Sequence, residues 1–233
     1  MGNKIISILM AGCLLVSMYY LAQTAAEYTM NRQEQRTDGR RVVLVDAGHG
    51  GADPGKVGIN GALEKDINLS VAFLVKKYLE MQDVTVVMSR NEDEGLYSEG
   101  SANKKMEDLK NRLALIDASG ADMAVSIHQN SYTSEGVHGA QVFYFESSQE
   151  GEKAAVIMQE QLRKGIDETN RREAKSNGSY YLLKKSPIPT IIVECGFLSN
   201  GEEADKLIQK DFQEKMACNI SMGILQYLND VVY

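Results

Sequence analysis

The sequence predicts an α/β protein, a three-layer α/β/α sandwich around a mostly parallel twisted sheet. Short apolar stretches rich in β-branched residues alternate along the chain with longer segments whose apolar residues recur at helical spacing. Parallel neighbouring strands need crossover connections, and helices supply them on both faces of the sheet. In such sheets ligands bind beyond the carboxyl ends of the strands, so the polar residues that follow each strand are the first candidates for a site.

Several apolar stretches are predicted as strands. The first is a continuous run of Val and Leu that stops at Asp46 and a glycine cluster, the pattern of a strand buried on both faces. The predicted strands cover residues 42–45, 84–88, 123–127, 140–145 and 190–193. Each lies between segments with a different period, as expected for alternating strands and helices.

The intervening segments are predicted as amphipathic helices packed on the sheet. The first has its apolar residues at Ile67, Val71, Leu74, Val75 and Tyr78, a spacing of i, i+4, i+7, i+8 and i+11. The second covers residues 106–118, with Met106, Leu109, Leu113 and Ile116 facing inward. Two further helices are predicted near residues 153–162 and 212–228.

The N-terminal region differs from the rest of the chain. Residues 5–26 form an almost uninterrupted apolar or small-residue stretch after Lys4, which is long enough to span a bilayer as a helix. We predict a signal peptide or membrane anchor over residues 1–26, a polar linker over 27–40 and a catalytic domain over 41–233. The domain is therefore expected outside the cytoplasm, membrane-anchored or secreted, and cleavage of the segment is left open.

Charge and cysteine content exclude two broad classes of protein. The formal net charge of −7 and the absence of a block of Lys or Arg argue against nucleic acid as a partner. Three cysteines, one of them in the apolar N-terminal stretch, cannot form the disulfide framework of a small secreted domain. Cys195 and Cys218 are predicted to be free, buried thiols.

Side chains suited to metal chemistry follow three of the predicted strands. His49 follows the first strand inside the glycine cluster, His128 follows the third, and Glu194 follows the last. Glu64 lies near the start of the first helix, after a glycine-rich loop that can fold it back toward His49. Because the carboxyl ends of parallel strands meet at one edge of a sheet, we expect these side chains to converge.

Two imidazoles and one carboxylate around an open fourth position are typical of a catalytic zinc site. His49, Glu64 and His128 are therefore the predicted Zn²⁺ ligands, and zinc at such a site makes water a nucleophile at neutral pH. Glu194 is predicted as the catalytic residue that takes a proton from this water and passes it to the leaving amine. His138, the remaining histidine, is interpreted as structural or substrate-facing.

Four ordered motifs resemble the zinc-dependent N-acetylmuramoyl-L-alanine amidases of the amidase 3 family, over about residues 42–228. The family's first-histidine motif matches residues 46–51, its glutamate ligand 63–66, its second histidine 126–130, and its catalytic glutamate 193–200. Ala47, Gln129 and Cys195 depart from the family's usual residues, but none of them is a proposed ligand. The resemblance implies hydrolysis of the amide between N-acetylmuramic acid and L-alanine in bacterial peptidoglycan.

Residues 98–112, together with the single N-terminal segment, are similar to the germination-specific spore-cortex amidases more than to the division amidases. In that subgroup the enzyme removes the peptide from muramic acid so that a deacetylase can close a muramic-δ-lactam. This likeness implies functional coupling to a muramic acid deacetylase, and it leaves an accessory activator open. Two alternatives remain: a non-catalytic peptidoglycan-binding protein, and a zinc peptidase that cuts within the stem peptide.

Overall fold

The computed structural model describes residues 40–230 and, before them, Met10, Gly12, Leu14, residues 16–20 and Gln23. The chain divides into two units, Met1–Arg40 and Arg41–Tyr233. Most of the predicted signal peptide or anchor over 1–26 and nearly all of the predicted linker over 27–40 lie outside the described residues. None of the helices in the described part of the chain is long and apolar enough to cross a membrane.

A six-stranded, mostly parallel sheet forms the centre of the second unit, as predicted. Its strands are β1 (Val42–Ala47), β2 (Thr85–Met88), β3 (Met123–Asn130), β4 (Gln141–Phe145), β5 (Lys175–Asn177) and β6 (Thr190–Phe197). The strand order is β2-β1-β3-β6-β4-β5. Strands β2, β1, β3 and β6 are parallel, whereas β4 runs antiparallel to β6 and pairs in parallel with β5 at the edge.

The helices of this unit are α1 (Glu64–Glu80), α2 (Lys104–Ala118), α3 (Gln149–Gly165), α4 (Tyr181–Lys185), α5 (Gly201–Leu207) and α6 (Lys210–Asp230). The four predicted helices correspond to α1, α2, α3 and α6. Two of them begin before their apolar periods because polar caps fix their starts: the Asn103 side chain accepts from the Met106 amide, and Ser148 accepts from Gly151. The short α4 and α5 were not predicted.

Helices cover both faces of the sheet. Along β1, Val43 and Val45 belong to the large core cluster formed with α1, α3 and α6, whereas Leu44 packs on the opposite face with Ile116 of α2 and Leu182 of α4. This alternation follows from the period of two in a strand, which sends successive side chains to opposite faces. Strand β1 is therefore buried on both sides, as its continuous apolar run predicted.

Two predictions about individual side chains were wrong. Met106 was expected to face inward, but it is exposed. Leu109 of the same helix is half-buried and lines a cavity that opens at the end of the sheet. The physical reason is that the first turns of α2 extend past the core and lie against polar loops. Cys195 is buried, but Cys218 is exposed on α6, so only one of these two free thiols is buried.

Candidate metal centre

The chain leaves β1 through a tight turn that carries His49. His49 has a φ of 63° and is followed by Gly50 and Gly51, whose φ angles are also positive. A non-glycine residue in this left-handed region costs about 1–2 kcal/mol. Arg112 opposes that cost because its Nη2 donates to the His49 carbonyl oxygen at 2.6 Å. The turn is therefore held from α2, and it directs His49 toward α1.

Glu64 is the first residue of α1, and its side chain is almost fully buried between two imidazoles. Its Oε1 lies 3.2 Å from Nε2 of His49 and 2.9 Å from Nδ1 of His128. Its Oε2 accepts from the Lys56 amide at 2.8 Å, and the Glu64 amide donates back to the Lys56 carbonyl. The glycine-rich loop before α1 therefore folds Glu64 back toward His49, as the sequence predicted.

His49, Glu64 and His128 form a group whose potential ligand atoms all lie within 4.8 Å of one another. Two imidazole nitrogens and a carboxylate oxygen are the donor set of a catalytic zinc site, so these residues fit such an ion. His138 lies apart from the group in an exposed loop, where its Nδ1 is 3.0 Å from the Gly136 carbonyl oxygen. The structure thus assembles the predicted residues and leaves His138 outside.

Glu194 faces this group from the neighbouring strand. It pairs in register with His128 across β3 and β6, so both lie within strands rather than after them as predicted. Its carboxylate is buried, and among the described residues no donor reaches its Oε2. Burial raises the pKa of Glu194 to about 7, with Glu64 adding to the rise and the two histidines opposing it. Such a carboxyl group exchanges protons near neutral pH.

Neighbouring charges strongly affect the pKa values of His49 and Glu64. Burial alone favours neutral His49, but hydrogen bonds to Glu64 and Asp53 outweigh it and raise the pKa of His49 to about 9. Burial likewise opposes ionisation of Glu64, yet its bonds to His128 and His49 hold the pKa of Glu64 well below its usual range. A buried carboxylate that is stabilised by two imidazoles has the electrostatics to receive a divalent cation, which displaces protons from its ligands when it binds.

Buried charges behind the group hold its loops in place. Arg112 donates to Asp46 through Nη1, to Asp108 through Nε at 2.6 Å, and to the carbonyl oxygen of Ala47. Ser126 donates to the other carboxylate oxygen of Asp46. Arg90 donates to main-chain carbonyl oxygens, including those of Ala47 and Lys65. Arg112 is thus salt-bridged within the fold, whereas Arg90 stabilises loops through hydrogen bonds to main-chain carbonyl oxygens.

Sequence reasoning missed two acidic residues that support the group. Asp53 holds the His49 ring, and Asp46 anchors Arg112. The sequence contained signals for both residues. Asp53 lies four positions after a candidate ligand, and Asp46 lies near the end of a buried strand, where a carboxylate needs a hydrogen-bonding or charged partner. Only the fold identifies that partner for Asp46, since Arg112 is distant in sequence.

A cavity of about 820 Å³ opens over the group, a volume typical of small-molecule sites. The three candidate ligands and Glu194 all line it. Its further walls come from the loop before α2, from the start of α2 itself and from α4. These walls include Tyr97, Lys104, Lys105 and Tyr180. The cavity thus extends well beyond the volume of a single metal ion and its water.

Comparison with known proteins agrees with the resemblance of the motifs. The family model described as N-acetylmuramoyl-L-alanine amidase matches residues 43–226. The germination-specific N-acetylmuramoyl-L-alanine amidase of Bacillus subtilis (strain 168) is 40% identical over 193 residues, which cover 82% of this chain and 81% of that protein.

Solved structures agree in fold as well as in sequence. The CwlD amidase from Clostridioides difficile, in complex with the GerS lipoprotein, is 39% identical with a TM-score of 0.80, covering 82% of this chain and 100% of that one. The amidase AmiC2 of Nostoc punctiforme is 33% identical with a TM-score of 0.70, covering 81% and 97%. On this sequence match and shared fold, the chain belongs to the N-acetylmuramoyl-L-alanine amidase family and is a peptidoglycan amidase.

Proposed function

We propose that this enzyme is zinc-dependent and hydrolyses the amide between N-acetylmuramic acid and L-alanine, with His49, Glu64 and His128 as zinc ligands and Glu194 as catalytic residue. One observation carries the proposal. The potential ligand atoms of three side chains lie within 4.8 Å of one another, and the same cavity is lined by the buried carboxylate of Glu194, one oxygen of which no donor of the described residues reaches. Together these residues supply both a metal ligand set and a proton acceptor.

A zinc ion bound there would polarise the scissile carbonyl and lower the pKa of water beside it. The protein's part is to present the ligands in fixed orientations. Asp53 holds the ring of His49, while main-chain amides of Lys56 and Gln129 hold the two oxygens of Glu64. Ligands fixed in this way bind a metal without having to reorganise.

Glu194 performs the proton transfers in the proposed mechanism. It accepts a proton from the attacking water as the new C–O bond forms at the lactyl carbonyl carbon. It then gives this proton to the alanine nitrogen as the C–N bond breaks. The products are a free carboxyl group on muramic acid and a peptide with a free amino terminus. A carboxyl group with its pKa near 7 is suited to both transfers.

The proposed biological role is removal of peptide from the spore cortex. The support is the 40% identity to a germination-specific amidase. A muramic acid freed of peptide is the substrate that a deacetylase needs to close the muramic-δ-lactam. This places the enzyme outside the cytoplasm, where residues 1–26 would serve as signal or anchor. Because a similar amidase was solved with a lipoprotein, we extend the proposal to an accessory lipoprotein partner.

Muropeptide analysis tests the reaction. The full chain, with zinc, is incubated with peptidoglycan, and the products are analysed by mass spectrometry beside Glu194→Gln, His128→Ala and His138→Ala. The parent and His138→Ala should release peptides that begin with alanine and leave muramic acid intact. Glu194→Gln should bind zinc without releasing peptide, and His128→Ala should lose both zinc and activity.

Other outcomes would overturn separate parts of the proposal. A cut between two amino acids would make the enzyme a peptidase. Loss of zinc from His138→Ala, with retention in His128→Ala, would show that the ligand set is wrong. For the cortex role, deletion of the gene in a spore-forming host should abolish muramic-δ-lactam, and the Glu194→Gln gene should not restore it. Unchanged lactam content after deletion would refute that role.

A further inference from the structure

The start of α2 carries two lysines on the wall of the active-site cavity. Lys104 and Lys105 both line it, together with His49 and Asp53. Lys104 Nζ lies 5.2 Å from the centre of the Tyr97 ring, and the Tyr97 hydroxyl accepts from the Ala52 amide at 2.7 Å. The loop that carries His49 therefore positions Tyr97, and Tyr97 in turn holds Lys104 beside the cavity.

Within residues 40–230 neither lysine has a carboxylate at salt-bridge distance, although Lys105 lies close enough to Asp53 to help lower the pKa of that carboxyl group, against the effect of burial and together with the bond to His49. Most acidic groups of the cavity are already engaged. Asp46 and Asp108 bind Arg112, Asp53 binds His49, and Glu64 lies between the two histidines. No ion pair within the described residues neutralises either lysine, so this part of the wall presents positive charge to the cavity.

Helix stability does not account for the two charges. Cations in the first turn of a helix are unfavourable because they oppose the helix dipole. The whole chain also has a formal net charge of −7, so positive charge next to the cavity runs against the general charge of the molecule. An anionic ligand would gain attraction from both lysines, although the molecule as a whole carries net negative charge.

We propose that Lys104 and Lys105 form a carboxylate-binding subsite for the peptide portion of the substrate. This inference rests on the proposed function, because that reaction acts on a peptide attached through its amino-terminal alanine. A stem peptide that is not cross-linked through its last residue carries a carboxylate at its far end, and an acidic second residue adds another. The two lysines would hold the peptide side of the scissile amide while Glu194 and the metal ligands act on the bond.

Matched substrates test the subsite. One is N-acetylmuramoyl-L-alanyl-D-glutamate, and the other is the same compound with both carboxylates converted to carboxamides. The parent, the double variant Lys104→Gln/Lys105→Gln and Lys110→Gln are compared as full chains with zinc. Lys110 is the control because it is an exposed lysine of α2 that does not line the cavity.

In the double variant, KM for the dicarboxylate should rise about tenfold, as expected for the loss of two partly exposed ion pairs, while kcat changes by less than about twofold. KM for the diamide should stay unchanged, and Lys110→Gln should match the parent on both compounds. Zinc affinity, measured in parallel, should be the same in all three proteins. An equal effect on both substrates, or no effect on either, would overturn the proposal.

A binding measurement separates this proposal from the proposed function. If the parent hydrolyses neither compound, the reaction is wrong, and calorimetry with the Glu194→Gln protein still tests the subsite. That protein should bind the dicarboxylate about tenfold more tightly than the diamide, by the same ion-pair reasoning, and the added lysine substitutions should remove the difference. Equal affinity for both compounds before the lysine substitutions would overturn the subsite.

Discussion

Nδ1 of His49 lies 2.8 Å from Oδ2 of Asp53, four residues further along the same loop. The other ring nitrogen, Nε2, faces Glu64 at 3.2 Å. In a neutral imidazole one nitrogen carries the proton, and an acceptor at Nδ1 leaves the lone pair of Nε2 free for a metal. Asp53 is itself fixed, because its Oδ1 accepts from the Gly55 amide at 3.0 Å.

Asp53→Ala should weaken zinc binding by roughly 10–100-fold, because the His49 ring loses the partner that sets its orientation and tautomer. Competition with a chelator of known affinity measures the effect. Asp66→Asn is the control, since Asp66 is an exposed acid in the first turn of α1, the helix that carries Glu64. Equal zinc affinity of Asp53→Ala and the parent would show that the Asp53–His49 bond does not act on the metal site.

Gly48 is the residue whose small size lets His128 occupy its position. A Cβ atom at Gly48 would lie 2.2 Å from Cε1 of His128, so the ring would have to move. Gly48→Ala should therefore lower kcat/KM by about 100-fold, the order expected for a misplaced catalytic group, and weaken zinc binding.

The matched control for Gly48→Ala is Gly100→Ala, where an added Cβ meets nothing within 4 Å. It should leave both quantities unchanged. Thermal unfolding of both variants in the presence of a chelator separates a local shift of His128 from general loss of structure. If Gly48→Ala retained full zinc affinity, the close approach of Gly48 to the His128 ring would not be needed for zinc binding.

The central strands were predictable from the sequence because they are buried on both faces. Strands β1, β3 and β6 have helices on both faces, so their apolar runs are continuous and easily recognised. Their ends were not predictable, since β3 continues through His128 to Asn130 and β6 continues through Glu194 to Phe197. Polar residues inside a strand interrupt the pattern that identifies it, and here those residues belong to the site. The three-residue β5 has no apolar pattern at all.

The topology of the sheet was enough to predict that the candidate site residues converge. It did not predict the residues that hold them in place. Parallel strands end at one edge, and this is enough to bring the turn of His49, His128 and Glu194 together. The bond between Arg112 and Asp46 joins α2 to β1, and no local pattern specifies it. The exposure of Met106 was unpredictable for a similar reason, because the spacing of apolar residues does not indicate where a helix extends past the core.

Arg112→Met should destabilise the protein by about 3–5 kcal/mol, because it leaves the buried carboxylate of Asp46 without its charged partner. The variant also removes the bond that holds His49 in its left-handed conformation. Urea unfolding, followed by circular dichroism, measures the free energy of unfolding. Lys110→Gln, an exposed change on the same helix, should alter it by less than about 0.5 kcal/mol. A loss below about 1 kcal/mol in Arg112→Met would mean that Asp46 finds another partner or takes up a proton.

The stability of the protein should fall in acid partly through Asp46. Burial raises the pKa of Asp46, but Arg112 and hydrogen bonds from Ser126 and Ser89 outweigh it and lower the pKa to about 2, against 3.8 ordinarily. Because the folded-state pKa is the lower one, the stabilisation is complete above about pH 4 and is lost as the pH falls toward 2. Asp46→Asn should therefore be less stable than the parent by about 2 kcal/mol or more at pH 7, and this difference should shrink between pH 4 and pH 2. Urea unfolding of both proteins across this range, with a chelator present to remove any metal contribution, measures the difference. If it stayed constant down to pH 2, Asp46 would not titrate in this range and the ion pair with Arg112 would not govern acid stability.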